Sequence, residues 1–124
     1  MNDAVRYDDD MVEVFRHADS LVATVPDDGK RSYLFDLITV LQPNPSGLRR
    51  WSVMQKIRKL RQENDRPVPQ NIEQEVERAF LAQCRGANAF KDRNRDPETA
   101  LFYKPEGRAG EVWALVPRSE ARGA

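Results

Sequence analysis

The sequence predicts a mainly helical α+β fold, in which an amphipathic N-terminal helix precedes a three-helix body and a C-terminal β-hairpin completes it. Three observations predict this. Apolar residues recur at helical spacing in four segments between Met11 and Cys84, and Pro- and Gly-containing breaks separate those segments. Only after residue 99 does the pattern change to short β-rich runs around a glycine-bearing turn. With 124 residues, 32% charged and 40% hydrophobic, the composition is that of one globular domain able to bury a core. The expected division is an acidic N-terminal arm with its helix over 1–28, a body over 29–117 and a disordered tail over 118–124.

The first helix follows Asp8-Asp9-Asp10, acids that complement the positive end of a helix dipole and so need no metal to explain them. Met11, Phe15, Ala18, Val22 and Val25 form a seam spaced as in paired helices, with Val14 and Leu21 in the same arc. Such a seam needs a partner surface, either this chain's own core or a second copy in a homodimer. His17 falls on the polar side without an acid or nucleophile beside it, which marks a solvated histidine rather than a catalytic one. Pro26-Asp27-Asp28-Gly29 reads as a turn. The next helix, about residues 30–41, is apolar nearly all round, with Asp36 and Thr39 alone on one side, so it should be central.

Gln42-Pro43 ends that helix, and Asn44 with Pro45 at the first helical position reads as the start of the next, which should run to Asn64-Asp65. This stretch holds Arg49, Arg50, Lys56, Arg58, Lys59 and Arg61 before its first acid, Glu63. Projected at about 100° per residue, Val53, Met54, Ile57 and Leu60 share one arc, opposite Ser52, Gln55, Lys56, Lys59 and Gln62. Trp51 lies at the edge of the apolar arc and is expected in the core, because aromatic side chains mostly serve burial; Arg58, two turns on, is within reach of its indole. After Pro67-Val68-Pro69, a further helix should begin near Asn71, with Gln74 completing a capping box, and stop at Arg85-Gly86. Ile72, Val76, Ala79, Phe80 and Cys84 line its inner side, while Glu73, Glu75 and Glu77 make its first half acidic.

Residues 87–99 read as a polar loop without periodicity. The runs Ala100 to Lys104 and Glu111 to Val116 flank Pro105 to Gly110, a hairpin signal, and alternation leaves apolar residues on both faces of the second run. The single Cys84 has no cysteine or histidine near it at zinc-ligand spacing and reads as a small buried apolar residue. Nothing at the start of the chain has the charge and apolar pattern of a secretory signal, and the longest apolar run, Val112 to Val116, is too short to span a bilayer; a cytoplasmic, membrane-free protein is the expectation.

Charge is unevenly placed in a chain that is neutral overall. Residues 1–28 carry eight acids against Arg6 and Arg16, a net −6, which leaves +6 to the remainder. A basic body suggests an anionic partner, or an arm folded back over it. Enzymatic chemistry is not expected: the chain has one histidine, no glycine-rich phosphate loop after a strand, no HExxH and no Ser/His/Asp set, so no catalytic residue, cofactor or metal site is assigned.

Three consecutive helices followed by a hairpin closing with Val112-Trp113-Ala114-Leu115-Val116 resembles the winged-helix DNA-binding fold over roughly residues 30–117. In that fold the third helix usually enters the major groove and the hairpin, or wing, touches the flanking backbone. The resemblance implies a nucleic-acid-binding module, with DNA as its partner. The helix beginning at Gln70-Asn71 would take the third position, yet Glu73, Glu75 and Glu77 would oppose phosphates there. The better candidates for contact are therefore Arg49, Arg50, Lys56 and Lys59 on the basic helix, with Lys104 and Arg108 supplied by the wing. The competing expectation is a protein-interaction module that docks a partner or a second copy through Met11, Phe15, Ala18 and Val22.

Overall fold

The computed structural model describes residues 13–25, 31–93, 96–107 and 110–117. Met11, the Asp8 to Asp10 run, the Pro26 to Gly29 turn, Arg108 and the tail 118–124 lie outside the described residues. The architecture is α+β and mainly α, as the sequence predicts. In chain order its elements are helix α1 (13–22), α2 (Arg31–Leu41), strand β1 (Leu48–Arg49), α3 (Arg50–Glu63), α4 (Ile72–Ala82), a single-turn α5 (Asn88–Lys91), a 3₁₀ turn (Pro97–Thr99), β2 (Phe102–Tyr103) and β3 (Val112–Leu115).

Helix α2 is central for the reason its composition gives: Leu34, Leu37, Ile38, Val40 and Leu41 are all buried, and it packs against both α3 and α4. Helix α1 adds its apolar face to the same core through Ala18, Leu21 and Val22, followed by Val25. Phe15 meets Phe35 of α2 with ring centroids 5.4 Å apart, and the Gln42 carboxamide donates to the Val14 carbonyl at 3.0 Å. The partner of the N-terminal seam is thus this chain's own body. His17 is exposed on the far side.

The sheet is antiparallel, with strand order β1-β3-β2. Its inner face rests on α4 through stacked rings: Phe102 on Phe80 with centroids 5.1 Å apart, and Phe80 on Trp113 at 4.0 Å and 9° between planes. Trp113 is fully buried, and its indole N–H donates to Glu111 Oε2 at 2.8 Å. That bond, together with Lys104 Nζ at 2.9 Å from the same oxygen, holds the Glu111 carboxyl below its usual range. Cys84 is buried beneath β2, and burial pushes its thiol up to about 11, which makes it a packing residue rather than a nucleophile.

Between α2 and α3 the structure corrects the expected path. Asn44 does not cap a helix and Pro45 does not start one. Asn44 to Gly47 is a tight turn, closed by the Gly47 N–H on the Asn44 carbonyl at 2.8 Å, with Pro in the second position and Gly in the fourth as such turns favour. The chain then forms β1, pairing Leu48 with Trp113 and Arg49 with Val112, so the sheet has three strands rather than the two of a simple hairpin. Helix α3 starts only at Arg50, whose N–H is taken by the Glu111 carbonyl at 3.0 Å. Strand pairing replaces a side-chain cap.

Other boundaries differ for similar local reasons. Asn71 precedes α4 but its side chain makes no cap bond, so the expected capping box with Gln74 is not formed. Helix α4 ends at Ala82 rather than at Arg85-Gly86, because Gln83 and Cys84 turn to bond β2: the Gln83 carbonyl accepts from Leu101 and Phe102, and Arg85 donates to Phe102. The stretch 87–99, expected as loop, contains α5, which buried Phe90 pins to the body. Helix α3 closes on Asp65, the one described non-glycine residue with positive φ, at 55°. Arg66 donates to the Arg61 carbonyl at 2.8 Å and Asp65 to that of Gln62 at 3.3 Å, the pattern of a glycine-type C-cap. Asp65→Gly should therefore raise stability by a few tenths to about 1 kcal/mol by relieving the left-handed backbone. A thermal melt checks this, with an upward shift of a few degrees expected.

The buried charges form one cluster. Asp36, fully buried, accepts from Arg61 Nε at 2.7 Å on one oxygen and from an Arg66 guanidinium nitrogen at 2.8 Å on the other. Arg61 also donates to the Pro67 carbonyl at 2.8 Å and the Ser32 hydroxyl at 2.9 Å, and its guanidinium lies 4.7 Å from the centre of the Tyr33 ring. Arg61 is thus a structural cation inside the molecule, not part of a basic outer face.

Candidate nucleic-acid interface

The predicted contact residues separate into two groups once α3 and α4 are placed. Arg50 leans across to α4, 2.9 Å from Glu77 and 3.8 Å from Glu73, and Arg58 meets Glu73 at 2.7 Å. Within α4 itself, Arg78 pairs with Glu75 at 3.2 Å. Each of the three carboxylates that would oppose a phosphate on α4 therefore has a guanidinium beside it. The corollary is that Arg50, read from sequence as a contact cation, is occupied in holding α4. Lys104 is likewise occupied, by Glu111 at the base of the hairpin.

Arg49, Lys56 and Lys59 remain outward. All three are exposed. Arg49 and Lys56 have no ion-pair partner among the described residues, and Lys59 has only Glu63 one turn on at 3.9 Å, an exposed pair of small value. Strand β1 sets Arg49 beside the hairpin, with its side chain close to where a Cβ on Gly110 would stand. Arg108 lies outside the described residues, so its position relative to Lys56 and Lys59 is not defined. At about 100° per residue, Lys59 stands 80° round the helix from Trp51 and Lys56 a further 60°, so the lysines form a band rather than a point.

Trp51 is placed differently from the expectation. It is 70% exposed and is the one large hydrophobic side chain exposed among the described residues. It borders an open cleft of about 260 Å³ whose other walls are Arg50, Met54, Gln55, Arg58 and Glu73. Sequence reasoning missed this because the inner arc of α3 is completed by Arg61 and in part by Arg50, not by the indole. The signal was present in the projection: Arg61 is four residues after Ile57 and seven after Met54, squarely on the apolar side.

On the N-terminal side, Phe15 is half-buried, while Ala18 and Val22 are buried in the body. No helix among the described residues is long and apolar enough to cross a membrane. The chain matches no protein-family model, no curated protein and no solved structure.

Proposed function

We propose that this chain is a non-enzymatic nucleic-acid-binding module, winged-helix-like in the order of its elements, that grips the DNA backbone with cations of β1 and α3. The observation that carries the reading is the division of the charges. The α4 carboxylates are matched by Arg50, Arg58 and Arg78, while Arg49, Lys56 and Lys59 are left exposed beside a hairpin tied to them through β1. Three helices followed by a hairpin, with the third strand joining hairpin to basic helix, support the winged-helix likeness. Assembly through the N-terminal helix has less support, since Ala18 and Val22 already belong to the chain's own core.

The test is a fluorescence-anisotropy titration with labelled duplex and single-stranded DNA of one sequence. Affinity should fall with salt at a log-log slope of about −0.9 per phosphate neutralised on duplex and about −0.7 on single strands. Lys56→Glu with Lys59→Glu should abolish binding while leaving the melting temperature within about 1–2 °C, because both side chains are in solvent and make no structural contact. Undiminished binding by the double variant, or no binding of either DNA by the parent protein, would remove this reading.

A further inference from the structure

Trp51 has no structural use in the described molecule. A tryptophan 70% exposed loses the stabilisation that burying it would bring, and here it stands on the most basic helix of the chain: α3 carries Arg50, Lys56, Arg58, Lys59 and Arg61 against Glu63. Its neighbours along the helix are informative. Trp51, Gln55 and Lys59 occupy positions i, i+4 and i+8, one ridge about 12 Å long at ~1.5 Å rise per residue. The ridge presents a π-face, then a carboxamide that can both donate and accept hydrogen bonds, then an ammonium. Such a sequence of groups fits a polyanion that also carries flat aromatic faces and polar edges. In a duplex the base faces are covered by stacking, and only the phosphate term would be used; an unpaired base offers its face.

We infer that Trp51 is a stacking platform for an unpaired nucleobase, so that the nucleic acid taken by this face contains a single-stranded segment. The inference rests on the nucleic-acid reading above and names its substrate class. Gln55 is placed to read the edge of a stacked base, and Lys59 and Lys56 to meet the phosphates that follow. Arg50 and Arg58 form the floor of the cleft, fixed by Glu73 and Glu77, and shape the site without being free to leave it. Charge complementarity favours a strand over a protein partner, whose anchoring pocket for a tryptophan would not need the band of lysines alongside.

The chain reports on itself, since it has two tryptophans and the other, Trp113, is fully buried and hydrogen-bonded. Acrylamide-accessible emission belongs to Trp51. Titration with a single-stranded oligonucleotide should quench that emission, and Trp51→Ala should weaken single-strand binding about 10-fold or more, the size of one base–aromatic stack. Trp51→Phe should restore most of the affinity. Duplex binding, driven by the cations, should change less than 2-fold in either variant.

Salt-sensitive binding of single strands that is unquenched and indifferent to Trp51→Ala overturns the stacking proposal and leaves nucleic-acid binding standing. Absence of binding to both DNA forms overturns both. A concentration-dependent mass in light scattering that Trp51→Ala abolishes would make the indole a protein anchor, and that also overturns the proposal.

Discussion

Replacing Asp36 by alanine is expected to remove about 3–5 kcal/mol of folding stability, the largest single loss available outside the apolar core. The reason is what remains. Arg61 is 4% exposed, and without the carboxylate its charge stays buried with only the Pro67 carbonyl and the Ser32 hydroxyl to meet it. Arg66 is less affected, because its side chain is 28% exposed and can turn to water. In a domain whose total stability is of order 5–15 kcal/mol, that loss should lower the melting temperature by roughly 10–20 °C. The compensated variant separates the value of the pair from the cost of breaking it. Asp36→Leu with Arg61→Met removes both charges at similar volume and should recover most of the loss, since well-packed apolar replacements of buried pairs are commonly neutral or better. If Asp36→Ala melts within about 1 kcal/mol of the parent, Arg61 reaches solvent and the cluster is not the buried lock that its distances describe.

The same cluster marks where the sequence stopped being readable. Helical periodicity located α2, α3 and α4, and the inner side of α4 was legible residue by residue, because Ile72, Val76, Ala79, Phe80 and Cys84 repeat at helical spacing and all five are buried. Asp36 was visible as the odd residue on an apolar helix. Its partner was not, because Arg61 stands 25 positions away within a run of basic residues that reads as solvated until each is assigned a face. Charge type is legible locally; charge pairing is a property of packing. That is also why Arg50 and Lys104 read as contact cations while the structure pairs them with Glu73, Glu77 and Glu111. Trp51 fails for the converse reason: hydrophobicity predicts burial only where a surface remains to cover the residue, and Arg61 had taken that place.

The turn before β1 was a misread signal of another kind, and it carries the second large effect. Asn44-Pro45-Ser46-Gly47 was read for its helix-starting residues, although Pro second and Gly fourth is equally the pattern of a tight turn. Gly47 decides between them. Its φ is +95°, and a Cβ there would lie 2.7 Å from Val112 Cγ1, 2.8 Å from the Trp113 carbonyl oxygen and 3.2 Å from Ala114 Cβ. Neither the β3 backbone nor its packed side chains can withdraw without unstacking Trp113 from Phe80. Gly47→Ala should therefore cost about 2–5 kcal/mol, combining left-handed strain with overpacking. The strain alone is measured by Gly107→Ala, where φ is +76° and nothing lies within 4 Å of the added carbon, so that variant should lose only about 1–2 kcal/mol.

The difference between the two variants is the close approach of the turn to β3. Its structural consequence is specific. Moving Gly47 away pulls β1 off β3, so the Arg50 amide, bonded to the Glu111 carbonyl, should lose hydrogen-exchange protection while Leu37 and Ile38 in α2 keep theirs relative to global stability. Because β1 orients Arg49 and the start of α3, Gly47→Ala should also weaken DNA binding at temperatures where the core is still folded. Equal melting temperatures for Gly47→Ala and Gly107→Ala, with the Arg50 amide still protected, would show that the sheet yields there and that β1 is not what fixes the basic helix against the hairpin.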